Sequence, residues 1–178
     1  MLYRSNIKFQ LPTHYLIMKQ NLFVIFALIF LQSCDNFPKD PEDTLNKVTN
    51  GTLKIGYSEN PPWVVKTAGA PTGIEPELLK AFAQSINAEI EWTNDTEQNL
   101  FEDLEKEKLH IVIGGITKST PWKAKVGITR MYVEDADRKH VMAVIRGENA
   151  FIVELEKFLF QHEAQIKTKL SHEKAAKI

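Results

Sequence analysis

Short β-type runs alternate with helix-period segments along most of this chain, and that alternation restricts the fold more than any other feature. LKIGY (53–57), EIEW (89–92) and HIVI (110–113) are separated by stretches whose apolar residues recur three and four positions apart. Parallel neighbours need crossovers of about a dozen residues or more, and these stretches supply them. The expected fold class is α/β: one lobe, a mainly parallel sheet flanked by helices, and a long C-terminal helix. HIVI is continuously apolar, as a central strand covered on both faces requires.

The segments between have readable ends. Pro61 and Pro62 place residues 58–62 in a loop, residues 63–65 add a short extended piece, and residues 69–73 turn. Pro76 suits the first position of a helix running to about Asn87, with Leu78, Leu79, Phe82 and Ile86 inward. Asp95 or Thr96 caps the next helix, which turns Leu100, Phe101 and Leu104 inward and Glu97, Glu102, Asp103 and Glu105 outward. Ser119 or Thr120 before Pro121 opens a short helical turn. Residues 126–129 and 140–145 read as further strands. Asn149 caps a terminal helix with Phe151, Leu155, Phe158, Leu159 and Ile166 as its inner stripe.

Residues 22–31 read LFVIFALIFL, ten apolar residues where a membrane-spanning helix needs about 20. The run matches the apolar centre of a signal peptide, with Lys19 on its upstream flank. Leu31-Gln32-Ser33-Cys34 follows and resembles the lipobox of bacterial lipoproteins, which implies cleavage before Cys34 and lipid on its sulfur. Met18 then reads as the true start. The expected organisation is a signal peptide over 1–33, the lipidated Cys34 with a polar tether over 34–50, one lobe over 51–170, and a polar tail over 171–178.

The chain has 178 residues, 43% of them hydrophobic, which suffices for one core after the signal is removed. Cys34 is the sole cysteine, so an internal disulfide is excluded. Three cations and no acids lie in residues 1–34, leaving 19 basic against 23 acidic residues and a formal charge of −4. That balance gives no footprint for nucleic acid. His162-Glu163 and His172-Glu173 lack a second histidine four residues after the first, so neither is a zinc-protease motif. Neither a nucleophile elbow nor a phosphate-binding glycine loop occurs. No metal, cofactor or catalysis is expected.

Several segments in order resemble the bacterial solute-binding protein family 3, the amino-acid-type receptors of ABC importers. LKIGYSENPPWV is similar to that family's first strand and loop, and GIEPELLKAFA to its first helix. LFEDLEKEKLHIVIGGIT is similar to its helix, turn and strand, VGITRMY to its hinge strand, and HVMAVIRGENAFIVELEKFL to its return strand and final helix. The resemblance covers Leu53 to about Ile166 and implies a periplasmic-binding-protein-like lobe. The family inserts a second lobe after the hinge strand. Here only residues 133–139 separate Tyr132 from the return strand, so the chain reads as a first lobe alone, closed by a short polar turn.

In open α/β sheets ligands sit at the carboxyl ends of strands. Three loops qualify: 58–63, 114–122 and 130–132. Gly114 and Gly115 permit close backbone approach, Thr117 offers a hydroxyl, and the donors near Ser119 and Thr120 open a helical turn. The resemblance implies Trp63 as the aromatic that stacks on ligand and Thr117 as a polar contact. Where the family carries its carboxylate-binding arginine this chain has Trp122, with Lys123 beside it. The hinge aspartate and proline are replaced by Arg130 and Met131. Between Lys108 and Val133 there are no acids, while Lys118, Lys123, Lys125 and Arg130 are present, which reads either as a cationic rim or as a solvated stretch balancing the acidic helix. The alternatives for Trp63 and Trp122 are core positions. Glu75 and Glu77 read as first-turn acids that suit the helix dipole, and His110 and His140 as structural. The expected ligand-binding set is Trp63, Gly115, Thr117, Ser119, Trp122, Lys123 and Arg130. Two functions remain open. One is a membrane-anchored extracytoplasmic lipoprotein binding a small polar or anionic solute for an ABC importer or sensor. The other is a single-lobe module binding a protein partner. The open half-site suggests a homodimer through a strand-end patch of Trp63, Trp122 and Met131.

Overall fold

A computed structural model describes residues 40–175. The signal peptide, the lipidation site Cys34 and the start of the tether lie outside the described residues.

Helix α1 (Thr44–Val48) leads into β1 (Thr52–Tyr57), and α2 (Ile74–Ser85) crosses to β2 (Glu89–Asn94). Helix α3 (Glu97–Glu105) crosses to β3 (Ile111–Ile113), and a 3-10 turn (Pro121–Ala124) precedes β4 (Gly127–Ile128). Strands β5 (Val133–Asp135) and β6 (Arg138–His140) pair with each other, and β7 (Ala143–Val144) returns to the main sheet. Helices α4 (Asn149–Gln161) and α5 (Glu163–Ala175) follow.

The five-stranded sheet has the order β2-β1-β3-β7-β4. β1 is parallel to β2 and β3, while β7 runs antiparallel between β3 and β4. Four strands thus share one direction. Ile111 and Ile113 enter the core beneath α2 and α4, and Val112 enters the one beneath α3. This two-sided burial is why HIVI is apolar throughout. Gly56 in β1 serves the same packing: a Cβ there would lie 2.6 Å from Leu109 and 2.8 Å from Leu100, so its absence lets α3 sit down on the sheet. Phe82 and Phe151, both essentially buried, anchor the larger core; burial of such a side chain stabilises by roughly 1.5–3 kcal/mol.

Four details differ from the sequence expectation. α2 begins at Ile74, with Pro76 in its first turn, where backbone donors are free of intrahelical partners and proline costs nothing. The expected return strand over 140–145 is divided between β6 and β7, and the polar turn is a hairpin whose Ala136 and Asp137 both have positive φ (44° and 66°), as a type I′ turn requires. The C-terminal helix is present in two segments broken at His162, whose Nδ1 bonds the Phe158 carbonyl oxygen at 2.8 Å while its ring stacks on Phe158. The tether over 34–50 includes docked structure: Thr44 and Val48 are buried, and α1 packs on α4.

Candidate functional site

The carboxyl ends of β1 and β3 meet the connection into β5 around one buried carboxylate. Glu75 is wholly buried on the first turn of α2. Its Oε2 accepts the Gly114 and Gly115 N–H groups, each at 2.9 Å, and its Oε1 accepts the Tyr132 hydroxyl at 2.6 Å. One side chain thus ties the loop after β3 to α2 and to the chain entering β5. Burial raises the Glu75 carboxyl above its ordinary 4.5, against the three hydrogen bonds that favour the anion. Burial and then the neighbouring Glu75 raise the Tyr132 hydroxyl well above its ordinary value.

Gly115 has φ of +67°, and a Cβ on it would lie 2.5 Å from the Trp63 ring and 2.6 Å from Asn60 Nδ2. The space this glycine leaves is therefore filled by Trp63 and Asn60. Asn60 Nδ2 also donates to the Gly114 carbonyl at 2.7 Å. Trp63 is 3% exposed, stacks on His140 with ring centroids 3.8 Å apart, and meets Tyr132 edge-on. His140 is buried, and neither ring nitrogen has a hydrogen-bond partner of proper geometry. Burial, then the Arg138 charge, lowers the His140 imidazole below its ordinary 6.5, while Asp135 and the nearby Gly115 backbone act the other way.

The predicted residues divide into three groups. Trp63, Gly115, Thr117 and Ser119 come together around His140: Thr117 bridges to His140 in antiparallel fashion, and the Thr117 and Ser119 hydroxyls are 2.9 Å apart at the exposed edge. Trp122 and Lys123 sit on the 3-10 turn. Trp122 stacks on Phe101 at 5.1 Å over the smaller core, with Lys125 Nζ over its ring, and Lys123 is exposed. The turn has four residues, and its Trp122 N–H is taken by Thr120 Oγ1. Arg130 stands apart: its side chain is exposed but directed to α4, where Nε lies 3.3 Å from Glu156 Oε2. Trp63, Trp122 and Met131 accordingly form no continuous patch. Met131 is exposed beside Phe160 instead, and both line a cavity of about 330 Å³ with Arg130, Tyr132 and Leu159.

Sequence reasoning missed Glu75 and Tyr132 as site builders and His140 as the ring beneath Trp63. The one available signal for Glu75 was its phase: Leu78, Leu79 and Phe82 follow at i+3, i+4 and i+7, which sets it on the apolar face of α2, whereas Glu77 on the same turn is exposed.

The profile of the bacterial extracellular solute-binding proteins, family 3, matches residues 53–172. No curated protein matches the chain. Among solved structures, the arginine-bound form of domain 1 from TmArgBP is similar at 21% identity over 65% of this chain and 97% of that one, with a TM-score of 0.58. The ancestral amino acid-binding protein AncCDT-1, a precursor of cyclohexadienyl dehydratase, is similar at 15% identity over 71% of this chain and 98% of that one, with a TM-score of 0.63. A Salmonella typhimurium periplasmic binding protein of high arginine specificity is similar at 14% identity over 66% of this chain and 98% of that one, with a TM-score of 0.57. At these identities the structures establish the fold alone.

Proposed function

Because the chain belongs to the bacterial extracellular solute-binding proteins, family 3, we propose that it is a membrane-anchored, extracytoplasmic lobe that binds a small polar or anionic, amino-acid-like solute for an ABC importer or a sensor. The family supports a solute-binding role and a periplasmic setting. The Leu31-Gln32-Ser33-Cys34 run supports lipid anchorage through Cys34.

The observation that carries the reading is the Glu75 tie. It holds the loop after β3 in one conformation and leaves the Thr117 and Ser119 hydroxyls at the open edge. A site prepared this way loses less conformational entropy on binding. Lys118 and Lys123 on the same connection are exposed, which favours an anionic solute over arginine, the ligand of the TmArgBP domain. That structure is also a precedent for ligand on a first domain. Titration of residues 38–178, a compact unit with its own core, against amino acids, dicarboxylates and phosphates tests this. Thermal stabilisation by an anionic class, reduced in Thr117→Ala and weakened by salt, is the expected result. A flat response to every class would overturn it.

One observation favours a second reading, a lobe that pairs with another copy of itself. Among the described residues, the two exposed large hydrophobics, Met131 and Phe160, line the same cavity. Arg130, Lys157, Glu156 and Glu163 line it as well, so both signs of charge are present around an apolar centre, as a self-complementary contact requires. Sedimentation should then show a dimer that Phe160→Ser dissociates, and a monomer at all concentrations would contradict this reading.

A further inference from the structure

The main sheet has two edges, and they differ. β4 at one edge has two residues, whereas β2 at the other has six and pairs with β1 in unbroken register from Thr52↔Glu89 to Tyr57↔Asn94. β2 carries no proline, lysine or bulge, the devices by which edges are commonly blunted.

The hydrogen bonds at the two ends of β2 fix the direction of the groups between. The Glu89 N–H donates to the Gly51 carbonyl oxygen at 2.9 Å, and the Asp95 N–H to the Tyr57 carbonyl oxygen at 3.4 Å. Successive residues of a strand turn their backbone groups to opposite sides. Glu89, Glu91 and Thr93 therefore bond β1, while Ile90, Trp92 and Asn94 turn N–H and C=O to the open side. Among the described residues, nothing across that side accepts these three N–H groups. The side chains alternate as well. Ile90 and Trp92 are half-buried against the larger core, and Trp92 meets Tyr57 edge-on. Glu89 and Glu91 lie on the other face and are exposed. Lys54 is the β1 neighbour of Glu91, yet neither acid belongs to an ion pair among the described residues.

A second copy of the chain fits this edge badly. A two-fold axis would pair β2 antiparallel with itself, and its outward residues would then oppose outward residues. Every such register that engages three or more strand residues sets acid against acid: Glu89 against Glu91, Glu91 against itself, or Asp95 against Glu89 or Glu91. Like charges directly opposite each other destabilise a strand pair.

We infer that β2 receives, as an added strand, an extended segment of another protein in which lysine or arginine alternates with apolar residues. The backbone of that segment meets the open N–H and C=O groups of Ile90, Trp92 and Asn94. Its apolar side chains lie beside Ile90 and Trp92, and its cations beside Glu89 and Glu91. The contact runs along the side of β2 and does not depend on the solute site at the ends of β1 and β3.

The test uses residues 38–178 and two peptides of about eight residues, long enough to span β2. One alternates lysine with valine, the other glutamate with valine. In the protein alone, the Ile90 and Trp92 amides should exchange quickly and those of Glu91 and Thr93 slowly. Excess lysine peptide should slow Ile90 and Trp92 about ten-fold or more and leave Glu91 and Thr93 nearly unchanged, while the glutamate peptide should slow none of them. The double variant Glu89→Lys/Glu91→Lys, both on exposed side chains, should reverse the preference between the peptides by about ten-fold in each direction. Unslowed Ile90 and Trp92 amides in excess lysine peptide, or an equal response to both peptides, would overturn the inference. So would slow exchange at these amides in the protein alone that deepens with protein concentration, since that places a second copy on the edge.

Discussion

Replacing Glu75 with leucine should unfold the site end of the lobe, while glutamine should leave it standing. Leucine is near in volume but accepts no hydrogen bond, so the Gly114 and Gly115 N–H groups and the Tyr132 hydroxyl lose their acceptor together. Each orphaned donor costs about 1–3 kcal/mol, and the two glycine donors are partly buried, so the sum is about 3–5 kcal/mol. For a domain of this size that corresponds to a fall in Tm of about 10–20 °C. In Glu75→Gln the amide oxygen keeps both glycine bonds, the amide nitrogen meets the Tyr132 hydroxyl oxygen, and a buried charge disappears, so the net change stays within about 1 kcal/mol. The pH dependence supplies a second signature. The folded-state pKa of Glu75 lies above 4.5, so the folded form holds this proton more tightly. Its contribution is fully present below 4.5 and is lost as pH rises through the raised value; Glu75→Gln removes that dependence. Urea unfolding of the wild type and both variants across pH 4–8 reads all of this. A leucine variant as stable as the wild type would refute the tie.

His140 works in the opposite direction. Its folded-state pKa lies below 6.5, so the stability it contributes is present above 6.5 and is lost as pH falls through the lowered value; His140→Phe, which preserves stacking on Trp63, should lessen that acid loss in urea melts at pH 7.5 and 5.5. Gly115→Ala combines a left-handed φ with a Cβ 2.5 Å from the Trp63 ring, and should cost about 2–4 kcal/mol in the same melts. Asp40→Ala frees three backbone donors and should cost about 1–2 kcal/mol, with faster amide exchange at Ala150 and Phe151 as its local mark.

The sheet and its two helical layers were legible because their signals are local. Leu78, Leu79 and Phe82 fall on one side of a 3.6-residue period, and Leu100, Phe101 and Leu104 on another. What escaped was set by contacts distant in sequence or by atypical turn residues. The hairpin turns on Ala136-Asp137, with no glycine or asparagine to mark its left-handed pair. The break at His162 has neither proline nor glycine and comes from a ring bonding back to Phe158. Helix α1 reads as polar tether because its caps come from Glu148, over 100 positions away. At the site, the Gly-Gly loop and its hydroxyls could be placed from strand ends alone. Glu75 read as a helix-dipole acid because its partners, Gly114, Gly115 and Tyr132, lie 39 to 57 residues off.

Amide chemical-shift mapping of residues 38–178 during titration with the stabilising anionic solute tests the half-site most directly. Shifts should concentrate at Gly115, Thr117 and Ser119 and spread through the strand bridge to His140. Shifts confined to the Met131–Phe160 cavity, or their absence at saturating solute, would contradict a solute site at the ends of these strands.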